Sequence, residues 1–253
     1  MAYLKVGNHY LSIGGHYIKS KPAHLEPYAF NDVADIYPQV GANDKLILLL
    51  RHAQRPDDRW DKETPLTPEG VEQARSVGVK LRHGVAQMNE IEAHSTDLVR
   101  TQQTAFYIFE SRFDTKYPTV ESIPTDIYID ADAYRQPESE GVSYDEISQY
   151  AYHVASEETM AKYKDIATVT EEITNTLLNN SNNKLTIFTS HDSVILPYIV
   201  EKTHQHLTDL KFWQDRQWLN YLAGMAIIVR GNGNAEFYPV RGLAKGTFRP
   251  SWA

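Results

Sequence analysis

The chain of 253 residues contains no cysteine. Disulfides, thiolate nucleophiles and sulfur-based zinc sites are thereby excluded. It also lacks long hydrophobic runs: no stretch approaches the roughly 20 apolar residues of a membrane-spanning helix. The opening Met-Ala-Tyr-Leu-Lys-Val-Gly-Asn-His has no apolar core of the secretory kind, so a cytoplasmic location is expected. Positive charge is in deficit. Lys and Arg number 25 against 33 Asp and Glu, a formal charge of −8, which speaks for solubility and against nucleic acid or an anionic membrane as partner. Glycine and proline are not enriched, and no internal repeat or low-complexity tract is present. The length suits one large domain, or one domain carrying an insertion.

What is present is concentrated at Leu46-Ile-Leu-Leu-Leu-Arg51-His52-Ala-Gln-Arg55-Pro56. A short, uninterrupted apolar run reads as a strand buried on both faces, as in a parallel sheet. Its polar sequel then lies at the strand's carboxyl end, where open α/β sheets place ligands. Two arginines bracketing a histidine offer planar forks for a phosphate and an imidazole that can attack it.

The rest of the chain alternates strand and helix. Thr67-Pro68-Glu69-Gly70 opens a helix with Thr67 as N-cap, Pro68 at the first helical position and an acid in the first turn. Ile91 to His94 reads as a strand, Leu98 to Phe109 as a helix, and 127–129 as a weaker strand. Residues 144–163 read as one helix, and 166–179 as another. Leu185 to Thr189 is a second strongly apolar strand, ending in Ser190-His191-Asp192. Gly231-Asn-Gly-Asn joins two strands as a hairpin. Residues 3–19 carry the pattern of short antiparallel strands, and 19–43 read as an irregular arm. The expected architecture is a three-layer α/β sandwich with a mainly parallel sheet, an antiparallel edge, helices on both faces and a small inserted helical cap at about 112–165. Residues 1–44 form an extension packed on a domain spanning 45–253.

Parallel strands would gather three polar clusters on one sheet edge: Arg51, His52 and Arg55; Ser95 to Thr101 with Arg100; and His191 with Asp192. Arg51, Arg55, Arg100 and His191 could clamp a phosphoryl group without a metal. His52 would attack in line, and Asp192 would protonate the leaving oxygen and then activate water.

These segments resemble the motifs of the histidine phosphatase superfamily, to which phosphoglycerate mutases also belong. Arg51-His52-Ala-Gln-Arg55-Pro56 resembles its Arg-His-Gly-x-Arg-x-Pro motif, with Ala53 in place of glycine and the proline one residue early. Leu66-Thr-Pro-Glu-Gly70-Val-Glu-Gln73 resembles its Leu-Thr-x-x-Gly-x-x-Gln helix start. Ser95 to Ala105 resembles its Ser-x-x-x-Arg-x-x-x-Thr-Ala segment, and Ser190-His191-Asp192 resembles the His-Asp pair of its acid phosphatase branch. The resemblance implies His52 as nucleophile, Arg51, Arg55, Arg100 and His191 as phosphate ligands, and Asp192 as proton donor. In the mutase-like branch the acid is a Glu between these motifs, a part open here to Glu138 and Glu140. The implied activity is metal-independent hydrolysis of a small phosphomonoester through phosphohistidine, with no cofactor. A mutase-type phosphotransferase, or a phosphate-binding or scaffolding module with little turnover, are the alternatives. His204-Gln-His206 has metal-like spacing but no acidic or sulfur partner nearby, and reads as structural. Trp213, Trp218 and Tyr221 read as packing residues.

Overall fold

The computed structural model describes residues 3–6, 9–12, 24–56, 61–82, 91–110, 144–207, 217–243 and 248–250. Glu138, Glu140 and the strand expected at 127–129 lie outside them, as does most of the expected cap.

The first elements are two short strands, β1 (Tyr3–Val6) and β2 (His9–Ser12), paired antiparallel. Next come β3 (Asn31–Asp32), α1 (Val33–Ile36) and a 3-10 turn at Tyr37–Gln39. The central part runs β4 (Lys45–Arg51), α2 (Pro68–Arg82), β5 (Ile91–Ser95) and α3 (Val99–Glu110). After it come α4 (Tyr144–Ala151), α5 (Glu157–Met160), α6 (Ile166–Asn179), β6 (Leu185–Ser190) and α7 (Asp192–Lys202). The last elements are β7 (Gln217–Leu219), β8 (Ala223–Val229), β9 (Ala235–Arg241) and β10 (Phe248–Pro250).

Six strands form the main sheet in the order β3-β9-β8-β4-β6-β5. Five share one direction; β8 alone opposes its neighbours β4 and β9. The antiparallel strand is thus interior, not the edge that the sequence suggests. The supposedly irregular arm supplies the edge: Asn31 and Asp32 pair with Val240 and Arg241. The side-chain amide of Asn31 also donates to Pro239 O at 3.0 Å, tying the arm to a proline carbonyl of β9.

The continuous apolar run of β4 follows from burial on both faces. Ile47 and Leu49 join a core with Phe188 and residues of α4, α6 and α7. Leu46, Leu48 and Leu50 point the other way, into a core with Val33 and Ile36 of α1, Val77 of α2 and Ile108 of α3. Mixed sheet and two helical layers make the α/β sandwich expected. The single helix read over 144–163 is broken. His153 adopts a left-handed φ of 58°, closing α4, and Ser156 caps α5 by accepting from Thr159 N. A strong N-cap residue inside an amphipathic pattern is a start signal that periodicity alone overrides in reading.

Candidate active site

Parallel pairing sets Arg51 beside Ser190 and Ser95 beside Thr189. Arg51-His52, Thr96 to Arg100, and His191-Asp192 therefore leave the sheet at one edge. Because β8 runs the other way, its start meets the same edge, and Leu222 N donates to Arg51 O at 3.2 Å.

His52 is buried, 3% exposed. Its backbone N–H donates to Ser190 O at 3.0 Å. Its Nδ1 lies 2.7 Å from Ala53 O. A carbonyl only accepts, so Nδ1 carries the proton and Nε2 keeps its lone pair. Burial, then the Arg51 charge, His191 and Arg100 hold the imidazole well below its ordinary pKa, against the opposing pull of Asp192. The result is a neutral ring with a fixed tautomer and an unprotonated Nε2.

The loop after His52 is fastened by the residues of the helix-start motif. Ala53 N donates to Thr104 Oγ1 at 2.9 Å, and Gln54 N to Gln73 Oε1 at 3.1 Å. Thr67 N donates to Gln54 O at 3.0 Å while Thr67 Oγ1 accepts from Gly70 N at 3.0 Å, the N-cap bond. A Cβ on Gly70 would stand 2.1 Å from Gln54 O, so glycine is needed for this close approach. Leu66 N donates to Gln103 Oε1 at 2.7 Å, linking the same loop to α3.

Arg51 is 2% exposed. Its Nη1 donates to Leu219 O and its Nη2 meets Asp192 Oδ2 at 2.6 Å. The guanidinium lies 4.4 Å from the centre of the Tyr221 ring, which also lies 5.9 Å from the His52 ring. Asp192 Oδ2 accepts Trp218 Nε1 at 2.6 Å and Oδ1 accepts Ser193 N at 3.0 Å. Burial works against the Asp192 charge. Arg51, His52, the indole N–H and His191 outweigh it, and the carboxyl is held well below its usual range.

Arg100 is buried and donates to Asp61 O at 2.9 Å. The His191 ring lies 5.7 Å from that of His52. Its Nε2 meets Thr96 Oγ1 at 3.0 Å. Burial and the Arg100 charge, with Arg51, push its pKa down to about 3 against Asp192 and Asp97. Arg55 is half-buried and its Nη1 donates to Pro56 O at 2.6 Å. The structure thus brings together Arg51, His52, Arg100, His191 and Asp192, with Arg55 in the loop that follows His52.

Thr96, Trp218 and Tyr221 belong to this cluster; the sequence places the first in a polar cluster without a role and reads the others as packing residues.

The family model of the histidine phosphatase superfamily, branch 1, matches residues 47–215. The chain belongs to the histidine phosphatase superfamily. The match is to branch 1, and it lends no support to the closer kinship with the acid phosphatase branch that Ser190-His191-Asp192 suggests. Among solved structures, this superfamily member is similar to a mutant phosphoserine phosphatase from Entamoeba histolytica in complex with phosphoserine. Identity is 17%, covering 76% of this chain and 94% of that one, with a TM-score of 0.49. It is similar to the product of an open reading frame of Mycobacterium tuberculosis at 16% identity, 79% and 99% coverage and a TM-score of 0.48. The alpha-ribazole phosphatase from Shigella flexneri gives 17%, 79% and 100%, and 0.46. No curated protein matches the chain.

Proposed function

We propose that this protein hydrolyses a small phosphomonoester through a phosphohistidine on His52. One observation carries the reading: the His52 Nδ1–H bond to Ala53 O, which leaves Nε2 as a buried lone pair among Arg51, Arg100 and His191. Nε2 attacks phosphorus, the ester P–O bond breaks, and the leaving oxygen takes a proton. Water then gives a proton back to the acid that supplied the first, as its oxygen attacks phosphorus and the P–N bond breaks, returning neutral histidine and inorganic phosphate. Arg51, Arg100 and His191 offset the charge on the transferring oxygens, with Arg55 available from the adjoining loop. These ligands already carry the positive charge the reaction needs, so no metal is invoked. Chelation followed by assay checks this; recovery with one particular divalent ion would refute it.

The first proton requires a protonated acid. Asp192 was the expected donor, but its ion pair with Arg51 and the Trp218 N–H favour its ionised form. That supports a reading in which Asp192 orients Arg51 and the acid is Glu138 or Glu140.

The test is His52→Ala. Turnover should vanish while the fold persists, and the acid-labile, base-stable phosphate trapped on the wild-type protein should be absent. Near wild-type hydrolysis by the variant would refute the mechanism.

A further inference from the structure

Two threonine hydroxyls beside His191 fix where its ring proton sits. Thr101 Oγ1 lies 2.7 Å from Leu98 O and 3.2 Å from Thr96 O. Both partners are carbonyls, which only accept, so the single hydroxyl proton of Thr101 is committed to them. Thr101 Oγ1 also lies 2.7 Å from Thr96 Oγ1, and that bond must therefore use the proton of Thr96. Thr96 then has no proton to offer His191. Its 3.0 Å contact with His191 Nε2 must be donated by the ring. Nε2 is protonated, and in the neutral ring Nδ1 is a bare lone pair. Nδ1 makes no hydrogen bond with the described residues, although His191 stands at the N-cap of α7, whose N–H groups lie close by in sequence.

We infer that the Thr96–Thr101 hydroxyl pair locks His191 in the Nε2–H tautomer, so that oxyanion binding at this site draws one proton onto His191 Nδ1. The inference deepens the proposed function and rests on its phosphate site. A lone pair repels an anionic oxygen, whereas the protonated ring donates to it. Among the described residues, the charged and titratable groups facing His191 are Arg51 and His52 from the end of β4, Asp97 just before α3 and Arg100 within it, and Asp192 at its own helix start. Burial and the two arginines keep the ring neutral; a dianion among the arginines offsets their charge and favours the protonated ring. Thr96 and Thr101 are positioning residues, acting only through His191.

Thr101→Val keeps the shape of the side chain and releases the proton of Thr96, which can then donate to Nε2. His191 becomes an Nδ1–H tautomer that meets an anion without taking up a proton. The probe is tungstate, a tetrahedral dianion near neutral pH. Titration calorimetry in buffers of different ionisation enthalpy should show wild-type protein and Thr101→Ser taking up about one proton more per bound tungstate than Thr101→Val. Wild-type affinity should fall correspondingly more steeply with rising pH. Equal uptake in wild type and Thr101→Val overturns the inference. The tautomer is read independently of any variant from the ring nitrogen shifts of His191 in the empty wild-type protein. Nε2–H supports the lock and Nδ1–H overturns it. Failure of tungstate to bind would instead count against the phosphate site itself, and the tautomer measurement stands in either case.

Discussion

Asp192 shares one carboxylate oxygen between Arg51 Nη2 and Trp218 Nε1, each at 2.6 Å, and gives the other to Ser193 N. Charge-assisted bonds of this kind favour the anion. A resting anion cannot supply the leaving-group proton. Asp192→Asn should therefore slow phosphoenzyme formation from alkyl and aryl phosphates by similar factors, because it loosens Arg51 for both. Loss of the true acid should slow alkyl phosphates by a further ~10²–10⁴-fold relative to aryl ones, whose leaving groups need little help. Rapid-quench rates for Asp192→Asn, Glu138→Gln and Glu140→Gln decide the matter; an alkyl-selective loss at Asp192 would return the acid role to it. At this scale the sequence was legible where residues sit next to a strand end. His52, Arg51 and His191 are all adjacent to apolar runs. Trp218 and Tyr221 were not, because their role comes from the reversed direction of β8, and strand direction is a long-range fact.

The loop that holds His52 depends on α2. Thr67, Gly70 and Gln73 lie at the cap or within the first two turns of the helix, and each touches Gln54 or caps the helix that does. Gly70→Ala forces a Cβ against a backbone oxygen that cannot move without moving Ala53 and His52. Overpacking of this kind costs about 1–3 kcal/mol. A loss of that size in denaturant unfolding, with kcat reduced, is the expected outcome. Unchanged kcat would mean that the loop does not set the nucleophile. Thr67→Ala should cost about 1 kcal/mol through the lost cap, with Thr67→Ser restoring it. The start of α2 was legible because its cap, proline and acid are local chemistry. The break between α4 and α5 was not, since an aromatic-rich amphipathic pattern continues across it. The place of β3 at the sheet edge was hidden for another reason. Two residues carry no period, and their pairing with β9 is long-range in sequence, as is the Asn31–Pro239 bond, whose partners stand 208 positions apart.

The whole molecule is acidic, yet its buried sheet edge collects Arg51 and Arg100 beside two histidines. That contrast sets the acid response of the fold. His191 is pushed down from 6.5 to about 3, first by burial and then by Arg100, and His52 is lowered in the same direction. Between the two values the unfolded chain binds protons that the folded chain refuses. Stability is therefore complete above about pH 6.5 and falls as pH drops towards 3, at no more than ~1.4 kcal/mol per unit for one fully coupled site. Asp192, depressed in its own range, acts in the same sense at lower pH. An anion that lets the histidines accept protons removes the cause of the loss. Sulfate, which stays dianionic across this range, should raise the melting temperature more at pH 5 than at pH 8. Stabilisation by any ligand reaches about 2.7 kcal/mol at a hundred times its Kd, so the size of the effect follows from affinity and its pH slope from the histidines. His191→Gln should flatten that slope while leaving the protein folded. A sulfate effect with the same magnitude at both pH values would show that the cluster does not exchange protons with its ligand, and that the acid sensitivity arises elsewhere in the chain.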